Sequence, residues 1–169
     1  MELQAFQRET VDLLPRLRRL ARAIAGEPAD ADDLVQLTVE RGLSRQAQWA
    51  PGARLDCWMF RIMKDAWIDG VRARNRRGEA QEPEEEGLSS IEYSGAPAPA
   101  LRLQAAEVRR ELARLPDQQR LVIALVLVDG LSYREAADVL EIPLGALTSR
   151  LGRGRTALMA RLAQEEDAA

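Results

Sequence analysis

The residues best suited to chemistry lie near the C-terminus, where arginines are interspersed with small hydroxyl side chains. They are Thr148, Ser149, Arg150, Arg153 and Arg155. No acidic residue occurs between Glu141 and Gln164, although the chain as a whole carries a net charge of −3. A guanidinium group can pair with a phosphate or read a guanine edge, and small side chains permit close approach to a groove. A solvated helix face would explain the same charges, but the absence of acids favours a nucleic-acid partner.

A helix-turn-helix pattern would position these side chains. Ser132 is followed three residues later by Glu135, a capping box that predicts a helix beginning at Tyr133. Pro143 disfavours helix at the residue before it, so we expect a turn there and a second helix from Leu144. The two helices have apolar inner faces made of Tyr133, Ala136, Ala137 and Leu140, and of Leu147, Leu151 and Leu158. The arginines lie off the leucine stripe.

The preceding residues of this half also indicate helices. Leu103, Val108 and Leu112 have helical spacing, and Pro116 would end that helix. The apolar run 121–128 fits either a buried strand or a buried helix, because its periodicity does not separate the two. Its helical surroundings favour a central buried helix.

The first half of the chain indicates three helical regions. Its first apolar stripe ends before Gly26, and Pro15 within it indicates a kink or a helix start. Asp30 is expected to cap the second helix. The third region runs from about residue 55 to residue 77, with a possible break at Gly70. The first stripe consists of Leu13, Leu17, Leu20, Ala21 and Ile24.

Composition excludes several kinds of chemistry and favours an all-α fold. Ala, Leu and Arg dominate, and aromatic residues make up only 4% of the chain. With no histidine and the single cysteine Cys57, there is no intrachain disulfide, no Cys/His zinc site and no His-based nucleophile. We therefore expect neither an enzyme nor a bound cofactor. Nothing approaches the length of a membrane span or resembles a signal peptide, which predicts a cytoplasmic protein without membrane insertion.

Charge is distributed along the chain in blocks. Residues 1–78 and residues 101–164 each carry a net charge of +3, whereas residues 79–100 contain six glutamates and no basic residue. This acidic strip is rich in Gly, Pro and Ser and lacks a helical apolar period, as is typical of a flexible linker. We therefore expect two small helical domains, 1–78 and 101–164, joined by the linker and followed by an acidic tail, 165–169.

The two blocks resemble, in order, two regions of the bacterial sigma-70 family. "DGLSYREAADVL" (129–140) and "SRLGRGRTAL" (149–158) are similar to the promoter-binding fourth region. "DADDLVQ" (30–36) and "WMFRIMKDAWIDGVRARNRR" (58–77) are similar to the second region. The two-region layout resembles the extracytoplasmic-function (ECF) class. The resemblance implies a non-enzymatic subunit that gives RNA polymerase its promoter specificity and helps to open DNA.

The resemblance also implies roles for individual residues. The β′ clamp helices of the polymerase would be contacted by Asp33, Leu34, Gln36 and Arg41, and the fourth region would meet the β flap. The −10 promoter element would be melted and read by Trp58, Arg61, Lys64, Asp69, Arg72, Arg74, Arg76 and Arg77. The −35 element would be read by Ser132, Tyr133, Arg134, Thr148, Ser149, Arg150, Arg153 and Arg155.

Some of these assignments have a second interpretation. Leu34 fits a core position as well as a docking surface. Trp58, Phe60 and Trp67 are available to stack on an unpaired base, but aromatic residues at helical spacing are more often core. The chain departs from the family pattern at Leu37, Val39, Asp65, Glu141 and Thr148; Glu141 stands where the turn usually has glycine.

Further partners follow from the resemblance, and two other readings of the chain stay open. Members of the ECF class are commonly held inactive by an anti-sigma factor, so we expect one here, with a monomer when no partner is bound.

One alternative is a sigma-like mimic that sequesters an anti-sigma protein without binding DNA. The arginines of "RARNRR" (72–77) and of the last helix argue against it, because a mimic has no need of them. The other, an ordinary helix-turn-helix repressor, leaves the first block unexplained.

Overall fold

The computed structural model describes residues 2–78 and 99–168, and every regular element in these two ranges is helical. The predicted all-α fold is thus confirmed for these ranges. Residues 79–98, most of the predicted acidic linker, lie outside them. In the part of the chain that is described, no helix combines the length and the apolar character needed to cross a membrane.

The N-terminal block consists of α1 (Glu2–Ala25), α2 (Pro28–Ser44), a short 3-10 turn (Gln46–Gln48) and α3 (Leu55–Arg77). Its predicted apolar stripe is buried, from Leu13 to Ile24. Pro15 lies inside α1, so it does not start the helix.

Two local predictions for this block were wrong. The second helix is not capped by Asp30 but begins at Pro28, with Glu27 at the N-cap. Proline suits the first turn of a helix because the N–H it lacks has no intrahelical partner there. Gly70 does not break α3, since one glycine costs a helix only about 1 kcal/mol.

The C-terminal block consists of α4 (Pro99–Ala113), α5 (Asp117–Ile123), α6 (Tyr133–Leu140) and α7 (Leu144–Ala168). The apolar run 121–128 is helical, as its context predicted, but its second part, Ala124–Val128, is a π-helical turn. This turn ends the buried stretch, because Leu127 is 48% exposed. The backbone N–H of Asp129 closes it by donating to the carbonyl of Ala124 at 3.0 Å.

The predicted helix-turn-helix is confirmed. The Ser132 hydroxyl accepts from the N–H of Glu135 at 3.2 Å, and the Glu135 carboxylate accepts from the N–H of Ser132 at 2.8 Å. The buried face of α6 differs from the predicted one: Val139 is buried with the two alanines, whereas Tyr133 is 44% exposed. Tyr133 is the first residue of the helix.

The long helix α7 packs closely on α5 at Gly154. A Cβ at this position would lie 2.8 Å from Cδ1 of Ile123, which is closer than carbon atoms approach. A larger residue here would force the Ile123 side chain to shift, whereas Gly152 lies on the exposed side of α7. The leucine stripe of α7, Leu147, Leu151 and Leu158, is buried as predicted.

The two blocks are in contact with each other. Helix α1 packs on α4, α5 and the π-helical turn, and α3 packs on α6. Gly26, at φ 78°, ends α1 and brings the chain so close to α4 that a Cβ there would lie 3.2 Å from the Cβ of Ala113. The buried side chains of both blocks accordingly belong to one hydrophobic cluster.

Candidate nucleic-acid interface

The outer face of α7 presents most of the side chains predicted to read the −35 element. Thr148, Ser149, Arg153 and Arg155 are exposed, and Arg150 is half-buried. Arg153 donates to the Ser149 hydroxyl at 2.8 Å, and the Thr148 hydroxyl donates to the Gly145 carbonyl at 3.0 Å. These contacts are local to α7, so the face is open to a large partner.

The start of α6 lies exposed as well, with Ser132, Tyr133 and Arg134 at the surface. The Ser132 hydroxyl is already used in the capping box. The helix N-terminus and the side chains of Tyr133 and Arg134 are therefore what α6 offers to a phosphate backbone.

The predicted −10 residues lie along α3 in two different environments. At its C-terminal end, Arg72 and Arg76 are exposed, and Arg77 is exposed with a polar or charged partner nearby. Arg74 is half-buried, with its guanidinium 3.9 Å from the Asp30 carboxylate. The exposed Asp69 accepts a hydrogen bond from Arg41 of α2 at 3.2 Å.

Closer to the middle of α3, the predicted cations are engaged by α6. Lys64 is only 6% exposed, and its Nζ lies 2.9 Å from the Asp65 carboxylate and 3.3 Å from that of Glu141. Arg61 is exposed but donates to the carbonyl of Asp138 at 3.0 Å. Lys64 is therefore buried and paired in this structure, and its assignment to the −10 element stays a prediction.

The aromatic side chains considered for base stacking do not form an exposed platform. Phe60 is fully buried and Trp67 is 5% exposed. Trp58 is half-buried, and its ring meets the Phe6 ring edge-on with centroids 6.0 Å apart. Of these three side chains, Trp58 alone is partly exposed.

The predicted polymerase-docking residues lie on α2, but not all on its outer face. Asp33 and Gln36 are exposed, with Gln36 donating to Glu40 at 3.1 Å, and Arg41 is half-buried beside Asp69. Leu34 is only 6% exposed and belongs to the core. This agrees with the second interpretation of Leu34, since α2 packs on α1 and α3, and its assignment to the polymerase contact stays a prediction.

Comparisons with known proteins match both blocks. The family model "Sigma2 domain of PhyR" matches residues 11–64, and the family model "Sigma-70, region 4" matches residues 105–158. The chain is 33% identical over 149 residues to the ECF RNA polymerase sigma factor EcfG of Rhodopseudomonas palustris, covering 88% of this chain and 80% of that protein.

The chain belongs to the ECF sigma factor family. It is also 32% identical over 160 residues to the ECF RNA polymerase sigma factor SigF of Caulobacter vibrioides, covering 94% of this chain and 86% of that one. Among solved structures it resembles the sigma factor RpoE of Bartonella quintana in complex with the anti-sigma factor NepR. That likeness has a TM-score of 0.78 at 28% identity and covers 95% of this chain and 98% of that chain. These matches bear out the family resemblance and its non-enzymatic class.

In this ECF sigma factor, the departure at Glu141 acquires a structural meaning. Glu141 caps α6 with φ 56°, a left-handed conformation that glycine adopts more readily. Its carboxylate faces Lys64 of the other block. The sequence marked Glu141 as unusual but gave no sign of this contact.

Sequence reasoning missed Arg120, which joins the two blocks of the sigma factor. Its guanidinium donates to four backbone carbonyls and lies 5.6 Å from the centroid of the Trp67 ring. The acceptors are Ile24 at 2.8 Å, Leu112 at 3.1 Å, Ala113 at 2.6 Å and Leu115 at 3.0 Å. Burial lowers the pKa of Arg120. A single arginine at the start of an apolar run was the only signal in the sequence.

Sequence reasoning also missed an ion-pair network centred on Asp56. Its carboxylate lies 2.9 Å from Arg16 of α1 and 2.6 Å from Arg54. Burial raises the pKa of Asp56, but the hydrogen bonds from Arg54, the Cys57 N–H and Arg16 together lower it to about 2. Asp56 therefore remains charged and orients both arginines.

Proposed function

We propose that this chain binds core RNA polymerase and directs it to promoters, where it takes part in the initiation of transcription. The main support for this function is that the chain belongs to the ECF sigma factor family, with matched segments in both blocks. The layout of two basic blocks separated by an acidic strip supports the same function, since two separated promoter elements need two binding surfaces.

The outer face of α7 and the start of α6 are proposed to contact the −35 element. Arg150, Arg153 and Arg155 would pair with phosphates or guanine edges, and Thr148 and Ser149 allow the helix to approach the groove. Ser132, Tyr133 and Arg134 would contact the backbone beside it. The exposure of all these side chains except the half-buried Arg150, and the absence of acids on α7 before Glu165, support the assignment.

The exposed part of α3 is proposed to act on the −10 element. Arg72, Arg74, Arg76 and Arg77 would hold the phosphate backbone, while Arg61, Trp58 and Asp69 lie further toward the N-terminus of the same helix. Melting requires cations for the separated strands and an aromatic or pocket for an unstacked base.

The outer face of α2 is proposed to dock on the β′ clamp helices, through Asp33, Gln36 and Arg41. The exposure of Asp33 and Gln36 supports this role. The C-terminal block would meet the β flap. We also propose control by an anti-sigma factor, because the sigma factor of the similar solved structure is bound to one. The chain would be cytoplasmic, where polymerase acts, and monomeric when free of partners.

Run-off transcription tests this function. Core polymerase, with and without the purified chain, is supplied with a library of genomic promoter fragments. The chain is expected to produce discrete transcripts that core polymerase alone does not make. If no template gives a chain-dependent transcript while the chain binds an anti-sigma protein, the mimic alternative is correct instead.

A further inference from the structure

Three acidic residues of the C-terminal block face cations of the N-terminal block. They lie in the segment 129–141, which runs from the end of the π-helical turn through α6 to the helix-turn-helix turn. We call them the acidic edge: Asp129, Glu135 and Glu141. Each is in contact with a different basic residue of the N-terminal block.

Asp129 forms the most buried of these contacts. Its side chain is 1% exposed, and its carboxylate accepts from Nε and Nη2 of Arg16 at 3.2 and 2.7 Å. Two parallel hydrogen bonds between a guanidinium and a carboxylate are the same geometry that arginine uses on a phosphate. The hydrogen bond to Asp129 is also the main reason that the pKa of Arg16 is raised.

Glu135 contacts the second arginine of the Asp56 network. Its carboxylate pairs with Arg54, while its other oxygen holds the capping box of α6. The Asp56 carboxylate accepts hydrogen bonds from both Arg16 and Arg54. These two guanidinium groups therefore lie next to each other, where they contact Asp129 and Glu135. The N-terminal block thus holds two neighbouring guanidinium groups, and each of them pairs with an acid of the other block.

Glu141 reaches furthest along α3, to Lys64. One turn of α3 away, Arg61 donates to the backbone carbonyl of Asp138. Arg61 and Lys64 are two of the residues that the family resemblance assigns to the −10 element. A negatively charged side chain and a carbonyl oxygen of α6 therefore occupy donor groups that would otherwise be available to nucleic-acid oxygens.

We propose that the acidic edge keeps the two blocks closed in the free chain, and that Glu141 substitutes there for the DNA backbone at Lys64, in the middle of α3. This rests on the proposed function for the assignment of α3 to promoter DNA. Carboxylates compete with phosphates for the same donors, so DNA must displace the acidic edge before it reaches Lys64. Opening then frees α6 and α7 to move to a separate promoter element.

The conformation of Glu141 supports this interpretation. A non-glycine residue in the left-handed region is disfavoured, and glycine would fill the turn at lower cost. The Glu141 carboxylate is directed at the other block, where it lies 3.3 Å from Nζ of Lys64, an almost fully buried lysine that also pairs with Asp65. A role of the Glu141 side chain in closure would account for the strained backbone of this turn.

Small-angle X-ray scattering on the full chain tests closure without DNA or polymerase. The triple variant Asp129→Asn, Glu135→Gln, Glu141→Gln removes the three charges, and glutamine at 135 preserves the capping box. The matched control, Asp138→Asn, Glu166→Gln, Asp167→Asn, removes three charges from exposed positions of the same block. The radius of gyration should increase for the triple variant and stay at the wild-type value for the control.

Either of two scattering results would overturn closure by the acidic edge: a triple variant as compact as the wild type, or an equal expansion in the control. Circular dichroism establishes that both variants are folded. The single variant Glu141→Gln, at an exposed side chain, carries little risk of unfolding and should expand the chain in part. Raising the salt concentration to about 1 M, where the Debye length is about 3 Å, should expand the wild type more than the triple variant, which has already lost these ion pairs.

Fluorescence anisotropy with a single-stranded oligonucleotide of mixed sequence tests the competition. The triple variant should bind on the order of tenfold more tightly than the control, since both have the same net charge and only one has lost ion pairs that compete with phosphates. Equal affinities of the two variants would reject the competition. A chain that opens as expected but never supports run-off transcription would refute the proposed function and leave the closure intact.

Discussion

Helices α7 and α3 both carry arginines, yet their surroundings differ. On α7 the neighbours of the basic face are its own hydroxyls and carbonyls, and the face is open. On α3 the two cations in the middle of the helix contact the other block, Arg61 at an exposed position and Lys64 at a buried one, whereas the C-terminal turns are open. Residue type and spacing identify both helices as basic. Which cations are accessible depends on packing between the blocks, and the spacing within one helix does not contain that information.

The largest effect is expected from reversing charges on the open face. Arg150→Glu with Arg153→Glu should weaken binding of promoter DNA by about a thousandfold, since each arginine contributes roughly 1–3 kcal/mol. Binding to core polymerase, measured by pull-down, should be unchanged. The matched control is Arg18→Glu with Arg19→Glu on the exposed side of α1, which makes the same change in charge. A gel-shift titration in which the two double variants behave alike would argue against α7 as the DNA-binding face.

A second large effect, on stability, is expected at Arg120, the residue that joins the two blocks. Arg120→Met removes the donor for four carbonyls and should lower the free energy of unfolding by about 3 kcal/mol, because buried acceptors are left without partners. Urea denaturation followed by circular dichroism measures it. Arg134→Met, an exposed arginine of α6, is the control. If Arg120→Met shifted the midpoint no more than Arg134→Met, the blocks would not depend on this guanidinium.

Local signals predicted the helices well. Ser132 and Glu135 are three residues apart, so the capping box that starts α6 can be read directly, and Pro143 with the leucine stripe locates the turn and α7. Asp30 was misread because Asp and Pro both mark helix starts, and the proline two residues earlier took that role. Such rules work because both partners of each interaction lie within one turn of chain.

The sites were predicted less completely, because their decisive contacts are distant in sequence. Arg16 meets Asp129 across 113 positions, and Lys64 meets Glu141 across 77. Neither residue type nor helical spacing predicts which acid will face which base. Leu34 shows the same limit on α2: an apolar residue within a charged segment fits a docking surface and a core equally well, and the sequence does not reveal that it is buried.

A moderate effect is expected on the outer face of α2. Asp33→Arg should weaken the pull-down of core polymerase by about tenfold, since it places a like charge or removes an ion pair at the proposed contact. Asp32→Arg makes the same change one residue earlier, about 100° around the helix, and should have less effect. Both residues are exposed, so neither variant should unfold. Equal pull-down of the wild type and Asp33→Arg would reject the docking role of this residue.

The smallest effect concerns pH and the network that supports the covered part of α3. The folded-state pKa of Asp56 is about 2, below its ordinary value of 3.8, so its charged form stabilises the fold above about pH 4. That contribution should be lost as the pH falls from about 4 to about 2. It should amount to about 1 kcal/mol, because solvent screens the partly exposed arginines around it.

The variant Asp56→Asn tests this contribution, because it removes one carboxylate and leaves the others in place. The urea midpoints of wild type and variant should differ at neutral pH and converge as the pH approaches 2. Midpoints that run parallel across this range would mean that Asp56 titrates at an ordinary pKa. Arg16 and Arg54 would then not be held by a charged carboxylate, and the paired guanidinium surface that meets α6 would have a different origin.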